Sequence, residues 1–261
     1  MEKTAPIITP AHLLERLDAI GQALAATGRA LALLGLGSVG LERERLDAYS
    51  DLDFFAVVRP GEKARFLADL GWLSAVAPVA FAFQNTADGY KLLFDDGIFC
   101  ELAVFEPQEL AGIPFAEGRL IWQAADFDAR LCTPVQLPHP REPHSVAWLV
   151  GEALTNLYVG LGRYHRGEKL SALRFVQGYA IDRVLELAAM LEPEQSAGRD
   201  PFTPERRFEQ RFPGAATLLP AFMPGYERTP AAAVALLAFL EAHFEVNPRL
   251  AEAIRALVTI T

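Results

Sequence analysis

The sequence predicts an α/β domain followed by an all-helical domain. In the first half, short apolar segments that suit β-strands are separated by turn residues and by one or two helical patterns. After residue 132 this alternation stops, and only helix-like spacing of apolar residues follows. Between the halves, TPVQLPHPREPH holds four prolines in twelve residues, a composition typical of a linker. We therefore expect domains at 1–135 and 145–261, joined by a proline-rich linker at 136–144.

The first half begins with a helix and continues as strands. Thr9-Pro10 combines an N-cap with a proline at the first helical position, and apolar residues at helical spacing continue to about Thr27. Asp96-Gly97 between two apolar runs is a strong hairpin signal. The expected elements are a helix at 10–27, strands at 30–34, 51–58, 79–84, 90–94 and 98–105, and a helix at 62–73.

The second half shows helical patterns only. Long apolar periodicities predict helices at 145–163 and 170–191. Three further helices are expected where an N-cap residue precedes a proline, as at Thr9-Pro10. These pairs are Thr203-Pro204, Thr229-Pro230 and Asn247-Pro248.

Composition and charge restrict the partners. The formal net charge is −9, which argues against a nucleic-acid backbone as the main partner, because such proteins carry clustered excess lysine and arginine. A nucleotide is still compatible, since it needs only a local basic wall. The acidic balance also suits a cationic small molecule.

Several features predict a cytoplasmic protein. Cys100 and Cys132 have no CxxC spacing, which fits a reducing compartment better than a disulfide scaffold. The start, MEKTAPIITP, lacks the apolar core of a signal peptide. The longest apolar runs are shorter than the ~20 residues that a membrane-spanning helix needs, so no membrane partner is expected.

The glycine-rich segment at 33–58 can be interpreted in two ways. Gly35, Gly37 and Gly40 spell the dinucleotide-binding fingerprint G-x-G-x-x-G. The same segment also holds Gly37-Ser38 and then D-x-D, Asp51 and Asp53, entering an apolar strand. The dinucleotide interpretation is disfavoured, because it needs a longer helix after the glycines and an acidic residue after the second strand, not before it.

The D-x-D pair indicates a metal site. Side chains alternate along a strand, so Asp51 and Asp53 face the same way with Cα atoms roughly 6–7 Å apart. Two carboxylates at 4 Å repel by about 4 kcal/mol at an effective dielectric constant near 20, and a divalent cation removes that repulsion. Hard oxygen ligands favour Mg²⁺ or Mn²⁺. The simpler alternative is that Asp51 caps a turn and Asp53 is a solvated edge residue.

A third carboxylate is expected on a neighbouring strand. Glu101 is the only charged residue in IFCELAVF at 98–105. Phosphoryl-transfer sites commonly use such an acid as a metal ligand or as a base. The alternative is a Glu101 that faces solvent or pairs with Lys91 across the hairpin.

These motifs resemble the nucleotidyltransferases of the DNA polymerase beta superfamily, especially the lincosamide and aminoglycoside branch. Gly37-Ser38, S-D-L-D at 50–53 and G-I-F-C-E-L at 97–102 are similar to that group's G-S turn and its two acidic strands. In the second half, N-L-Y at 156–158 and R-G-E at 166–168 are similar to a helical segment of the same branch. The spacing between Gly37-Ser38 and Asp51 is longer here than in the group.

The resemblance implies a fold, an activity and a set of roles. It implies a mixed sheet followed by a helical bundle, and Mg²⁺- or Mn²⁺-dependent transfer of AMP from ATP, or of another nucleotide, to a hydroxyl of a small molecule. Asp51 and Asp53 would hold the metal, and Glu101 would act as base and share the metal. The expected phosphate-binding residues are Gly37, Ser38, Lys169 and Arg174.

Other assignments stay open at this point. A homodimer is the assembly that the resemblance raises, and antibiotic resistance is the physiological role that it raises. The alternatives are an enzyme of the same fold that adenylylates a protein and a catalytically silent nucleotide-binding module.

Overall fold

The computed structural model describes residues 8–136, 144–200, 203 and 205–259. The chain divides into two compact units, Met1–His139 and Pro140–Thr261, and each has its own hydrophobic core. Of the linker expected at 136–144, residues 137–143 lie outside the described residues. No helix in the described ranges has both the length and the apolar character needed to cross a membrane.

The first unit is built on a mixed six-stranded sheet, which confirms the expected fold class. The strands are β1 Ala30–Gly35, β2 Leu52–Val58, β3 Val79–Gln84, β4 Gly89–Phe94, β5 Phe99–Phe105 and β6 Arg119–Gln123. Their spatial order is β3-β4-β5-β2-β1-β6. Only β2 and β5 pair in parallel, and the other neighbours are antiparallel. Five of the six strands were expected from the sequence, and β6 was not.

The helices of this unit are α1 Pro10–Ala26, α2 Lys63–Ala68 and α3 Gly71–Ser74. The expected start of α1 is confirmed, because the Thr9 side chain accepts a hydrogen bond from the His12 N–H at 3.3 Å. The single helix expected at 62–73 is wrong. Asp69 Oδ1 accepts a hydrogen bond from Gly71 N–H at 2.8 Å, and this local turn ends α2 before α3 begins.

The two faces of the sheet have different surroundings. Alternate residues of β2 and β5, including Leu52, Phe54 and Cys100, are buried in the main core together with the apolar side of α1. The intervening residues point to the opposite face, where smaller clusters form around Phe55 and Phe105. This second face is the one on which Asp53 and Glu101 lie, because each is one residue out of step with the core positions.

Strand β3 forms one edge of the sheet and carries no charged residue. Its sequence is VAFAFQ, and Phe81 and Phe83 are 54% and 55% exposed. Phe83 is the register partner of Lys91 in β4.

The second unit is all-helical within the described residues, as expected. Its α-helices are α4 Val146–His165, α5 Lys169–Arg174, α6 Ile181–Ala188, α7 Phe208–Arg211, α8 Pro213–Ala216, α9 Leu219–Phe222, α10 Thr229–His243 and α11 Pro248–Thr259. The helix expected from Thr203-Pro204 is wrong, because Thr203 is not helical and the next helix begins at Phe208; Pro204 lies outside the described residues.

The helix expected at 170–191 is interrupted by a π-helix, Phe175–Ala180, between α5 and α6. Gln177 in this segment is buried, and its amide both donates to Gly225 O at 2.9 Å and accepts from Gly225 N–H at 3.0 Å. The same amide donates to the hydroxyl of the fully buried Thr229 at 3.1 Å. The π-helix therefore fixes the loop that enters α10.

Candidate active site

The central parallel strand pair brings two of the expected acidic residues together. Asp53 and Glu101 are register partners on β2 and β5, and both are half-buried on the same face of the sheet. Each lies near the N-terminal end of its strand, where the main chain enters the sheet. Residues far apart in sequence therefore become neighbours because β2 and β5 run in the same direction.

Lys91 extends this row of charges by one strand. It is the register partner of Glu101 on the antiparallel side, and its Nζ lies 2.7 Å from Glu101 Oε1. Both side chains are 40% exposed. The hydrogen bond to Glu101 is the main reason why the pKa of Lys91 lies above its ordinary value, and the charges of Asp51 and Asp53 act in the same direction. The pairing of Glu101 with Lys91 that the sequence left open is thus present.

Asp51 lies immediately before β2 and is half-buried. Within the ranges that the structure describes, no three histidine, cysteine, aspartate or glutamate side chains group closely enough to hold a metal ion. The metal roles of Asp51, Asp53 and Glu101 therefore stay a prediction.

The Gly37-Ser38 turn lies beside Asp53. A short 3-10 turn, Gly37–Val39, follows β1, and the N–H of Leu36 donates to Asp53 O at 2.8 Å. Gly37 has φ +52°, a left-handed conformation that favours glycine. A Cβ atom on Gly37 would lie 3.6 Å from Asp53 Oδ2, so the turn backbone and the carboxylate are close neighbours.

The dinucleotide interpretation of the glycines is incompatible with this geometry. β1 and β2 are antiparallel, whereas a dinucleotide-binding unit needs parallel strands joined by a helix. The connection instead contains the turn at 37–39 and a second 3-10 turn, Arg43–Arg45. Gly40 has a packing role, because a Cβ there would lie 2.6 Å from Gly35 O.

Three arginines near the glycine turn were not expected from the sequence. Arg45 Nη2 would lie 3.6 Å from a Cβ on Gly37, and its guanidinium is paired with Glu42. Arg119 in β6 donates from Nη2 to Val39 O at 3.3 Å. Burial lowers the pKa of Arg119 from its ordinary value, and the nearby charge of Arg43 lowers it further. Three guanidinium groups thus lie near the turn, and that of Arg45 is neutralised by Glu42.

The signal for two of these arginines was available in the sequence. The loop after the glycine turn reads L-E-R-E-R at 41–45, so Arg43 and Arg45 follow the proposed phosphate turn directly. Arg119 had no such signal, because its strand was not expected.

The remaining two expected residues, Lys169 and Arg174, lie on α5 in the second unit. Lys169 Nζ is 3.0 Å from Glu227 Oε2, and this hydrogen bond is the main reason why the pKa of Lys169 is raised. The rings of Tyr164 and Tyr226 lie 5.5 Å and 6.0 Å from the same ammonium group. Arg174 is exposed. Their roles in phosphate binding stay a prediction.

Comparison with known proteins gives structural neighbours only. No protein-family model matches the chain, and no curated protein matches it by sequence. Among solved structures it is similar to an aminoglycoside 6-adenyltransferase from Bacillus subtilis, with 13% identity and a TM-score of 0.32 over 95% of this chain and 92% of that chain. It is also similar to a nucleotidyltransferase-like protein from Exiguobacterium sibiricum 255-15, with 12% identity and a TM-score of 0.33 over 88% of this chain and 74% of that chain.

Both neighbours carry the adenyltransferase or nucleotidyltransferase name that the motif resemblance led us to expect. At these identities and TM-scores the similarity does not decide what this chain binds or transfers. Its function has to be judged from the residues of the site.

Proposed function

We propose that the protein is a metal-dependent nucleotidyltransferase that transfers a nucleoside monophosphate, AMP from ATP in the first instance, to a hydroxyl of a small molecule. The observation that carries the proposal is the pairing of Asp53 and Glu101 across β2 and β5, with the Gly37-Ser38 turn directly beside Asp53. Lincosamide and aminoglycoside antibiotics are the first acceptors to examine.

The donor set suits a magnesium ion. Carboxylate oxygens are hard ligands, and neither histidine nor a reactive thiol belongs to the set; Cys100 points into the main core. Asp51 and Asp53 would hold the ion. When bound, the ion would neutralise charge on the triphosphate.

Glu101 is proposed to take the proton of the acceptor hydroxyl. In the proposed step a bond forms between the acceptor oxygen and the α-phosphorus, while the bond from that phosphorus to the bridging oxygen breaks. Pyrophosphate leaves with the bonding electrons, and the hydroxyl proton moves to Glu101. Such catalysis consists mainly of positioning and of charge neutralisation.

The phosphates would lie on the glycine turn. The first N–H groups of a helical turn have no partner within that turn, so those near Ser38 suit phosphate oxygens. Arg119 supplies positive charge at the same turn, and Arg45, paired with Glu42, lies beside it. Lys169 and Arg174 are proposed to bind the departing pyrophosphate.

The proposal predicts a measurable activity. Incubation of the protein with Mg-ATP and a panel of lincosamides and aminoglycosides should release pyrophosphate with at least one acceptor. Asp53→Asn should lower turnover by about 10²-fold or more, because it removes a metal-binding charge. Glu101→Gln should lower kcat by about 10²–10⁴-fold, the usual contribution of a general base.

Asp95→Asn is the matched control, since Asp95 is an exposed carboxylate in the β4–β5 turn and should leave turnover unchanged. Full activity of Asp53→Asn would remove the metal assignment. Silence with all nucleotides, metals and acceptors, together with measurable ATP binding by calorimetry, would favour the silent nucleotide-binding module. Activity towards protein substrates alone would favour the protein-adenylylating enzyme.

A further inference from the structure

The row of charges across β4, β5 and β2 alternates in sign. Lys91, Glu101 and Asp53 are successive register partners on three adjacent strands. Neighbouring strands lie about 4.8 Å apart, so side chains in one row face each other at short range. Glu101 therefore has an ammonium group on one side and a carboxylate on the other.

The Lys91 ammonium group lies within hydrogen-bond distance of the Glu101 carboxylate. Lys91 Nζ lies 2.7 Å from Oε1, on the side of Glu101 away from Asp53. The next residue in the row is the uncharged Phe83 of β3, so this row offers Lys91 no acidic partner on that side. Lys91 is accordingly directed to the carboxylates of the site, and its charge interacts with Asp51 and Asp53 as well.

A two-metal site requires carboxylates that two cations can share, and the pairing of Glu101 with Lys91 opposes that role. In such sites two cations lie about 3.5–4 Å apart and share carboxylate ligands. Mg²⁺ binds oxygen at about 2.0–2.1 Å, so an ion on Glu101 would stand close to the lysine ammonium and be repelled by it.

We infer that Lys91 is the counter-ion of Glu101, so that the site holds one divalent cation, at Asp51 and Asp53, where a three-carboxylate site would hold two. Lys91 is thereby a positioning residue. It keeps Glu101 away from the metal and leaves that carboxylate to accept the proton of the acceptor. This inference rests on the proposed function, and it changes the role of Glu101 from shared ligand to base alone.

Titration of the nucleotide-free protein with Mn²⁺ tests the inference without an activity measurement. Bound ions are counted by electron paramagnetic resonance, and affinity is measured by calorimetry. We expect one Mn²⁺ per chain in the wild type and two in Lys91→Met, whose unbranched side chain is one atom shorter and carries no charge. Lys91→Arg, the charge-conserving control, should bind one, and the double variant Lys91→Met with Glu101→Gln should return to one.

Glu101→Gln alone provides a second measurement that does not depend on the folding of a Lys91 variant. If Glu101 is not a ligand, this variant should bind Mn²⁺ within twofold of the wild-type affinity. A tenfold loss of affinity, two ions in the wild type, or one ion in a folded Lys91→Met would overturn the inference while leaving the proposed function intact. No Mn²⁺ binding to the wild type, or undiminished binding to Asp53→Asn, would instead overturn the metal assignment of the proposed function.

Discussion

At the scale of single residues, the two acidic residues of the candidate site differ in their environments. Asp53 and Glu101 have the same kind of side chain and the same half-buried setting, yet they have different neighbours. Asp53 lies beside a glycine turn with arginines near it, whereas Glu101 is paired with Lys91. Under the proposed function, the carboxylate beside the glycine turn would hold the metal, and the one paired with Lys91 would take the proton.

Burial lowers the reactivity of the two cysteine thiols. Cys100 is fully buried and Cys132 is 8% exposed. Burial raises the pKa of both thiols, that of Cys132 to about 11. A thiol with an ordinary pKa of about 8.5 is partly ionised at pH 8, so Cys132 should hold about a hundredfold less thiolate.

We therefore expect both thiols of the native protein to react at least a hundredfold more slowly than in guanidinium, measured with Ellman's reagent at pH 8. A raised folded-state pKa contributes stability that is fully present below about pH 8.5 and is lost as pH rises towards 11. Chemical unfolding should accordingly show a lower free energy of unfolding at pH 10 than at pH 8. One thiol that reacts at the denatured rate under native conditions would contradict this account.

At the scale of elements, helix α4 contains a matched pair of glycines with opposite roles. A Cβ on Gly151 would meet no heavy atom within 4 Å. A Cβ on Gly160 would lie 2.7 Å from Val176 Cγ2 and 3.0 Å from Phe175 Cβ, at the start of the π-helix. Gly160 therefore permits close packing of α4 against the π-helix, whereas no close contact depends on the missing side chain of Gly151.

Gly151→Ala should raise the free energy of unfolding by about 0.5–1 kcal/mol, the usual gain of alanine over glycine in a helix. Gly160→Ala should lower it by about 1–3 kcal/mol, because the added methyl group overpacks the core. Urea unfolding followed by circular dichroism measures both. Equal shifts for the two variants would show that the contact with Val176 is not limiting.

The sequence identified most elements, and its errors have local causes. Strands with strong apolar runs and the Asp-Gly hairpin were found, as were the caps at Thr9 and Asn247. The break at Asp69 and the π-helix were missed because each depends on one hydrogen-bonding side chain or one extra residue in a turn. Strand β6 was missed because RLIWQ is short and pairs only with β1.

The candidate site was predictable in its residues but not in its pairing. The D-x-D spacing predicted Asp53 as a site residue, and the single acid in the β5 sequence predicted Glu101. That they would be direct register partners depends on the parallel alignment of β2 and β5, which no local pattern encodes. The choice between a solvated Glu101 and one paired with Lys91 likewise depended on the register of β4.

At the scale of the whole molecule, the net charge of −9 predicts that the protein does not bind nucleic-acid polyanions. A phosphate backbone is attracted in proportion to the cations that it can reach, and the long-range field of this chain is repulsive. Labelled duplex DNA and RNA should therefore show no change in fluorescence anisotropy up to ~10 μM protein at low salt, a concentration at which ordinary non-specific binding, with a Kd of about 10⁻⁴–10⁻⁶ M at physiological salt, would already be detectable.

A fluorescent ATP analogue with Mg²⁺ is the matched control, since the proposed function requires that it binds under the same conditions. Binding of the duplex that weakens steeply with added salt would contradict the prediction. Duplex binding that ATP displaces would instead point to the glycine turn as its site.

The uncharged edge strand β3 limits the solubility of the protein. β3 carries no charged residue, and Phe81 and Phe83 are more than half exposed, so nothing on this edge repels another molecule. Repulsion between molecules must then come from the overall charge, which vanishes near the isoelectric point of about 5.1. Solubility should consequently reach its minimum near that pH, where two uncharged edges can approach and add strand to strand.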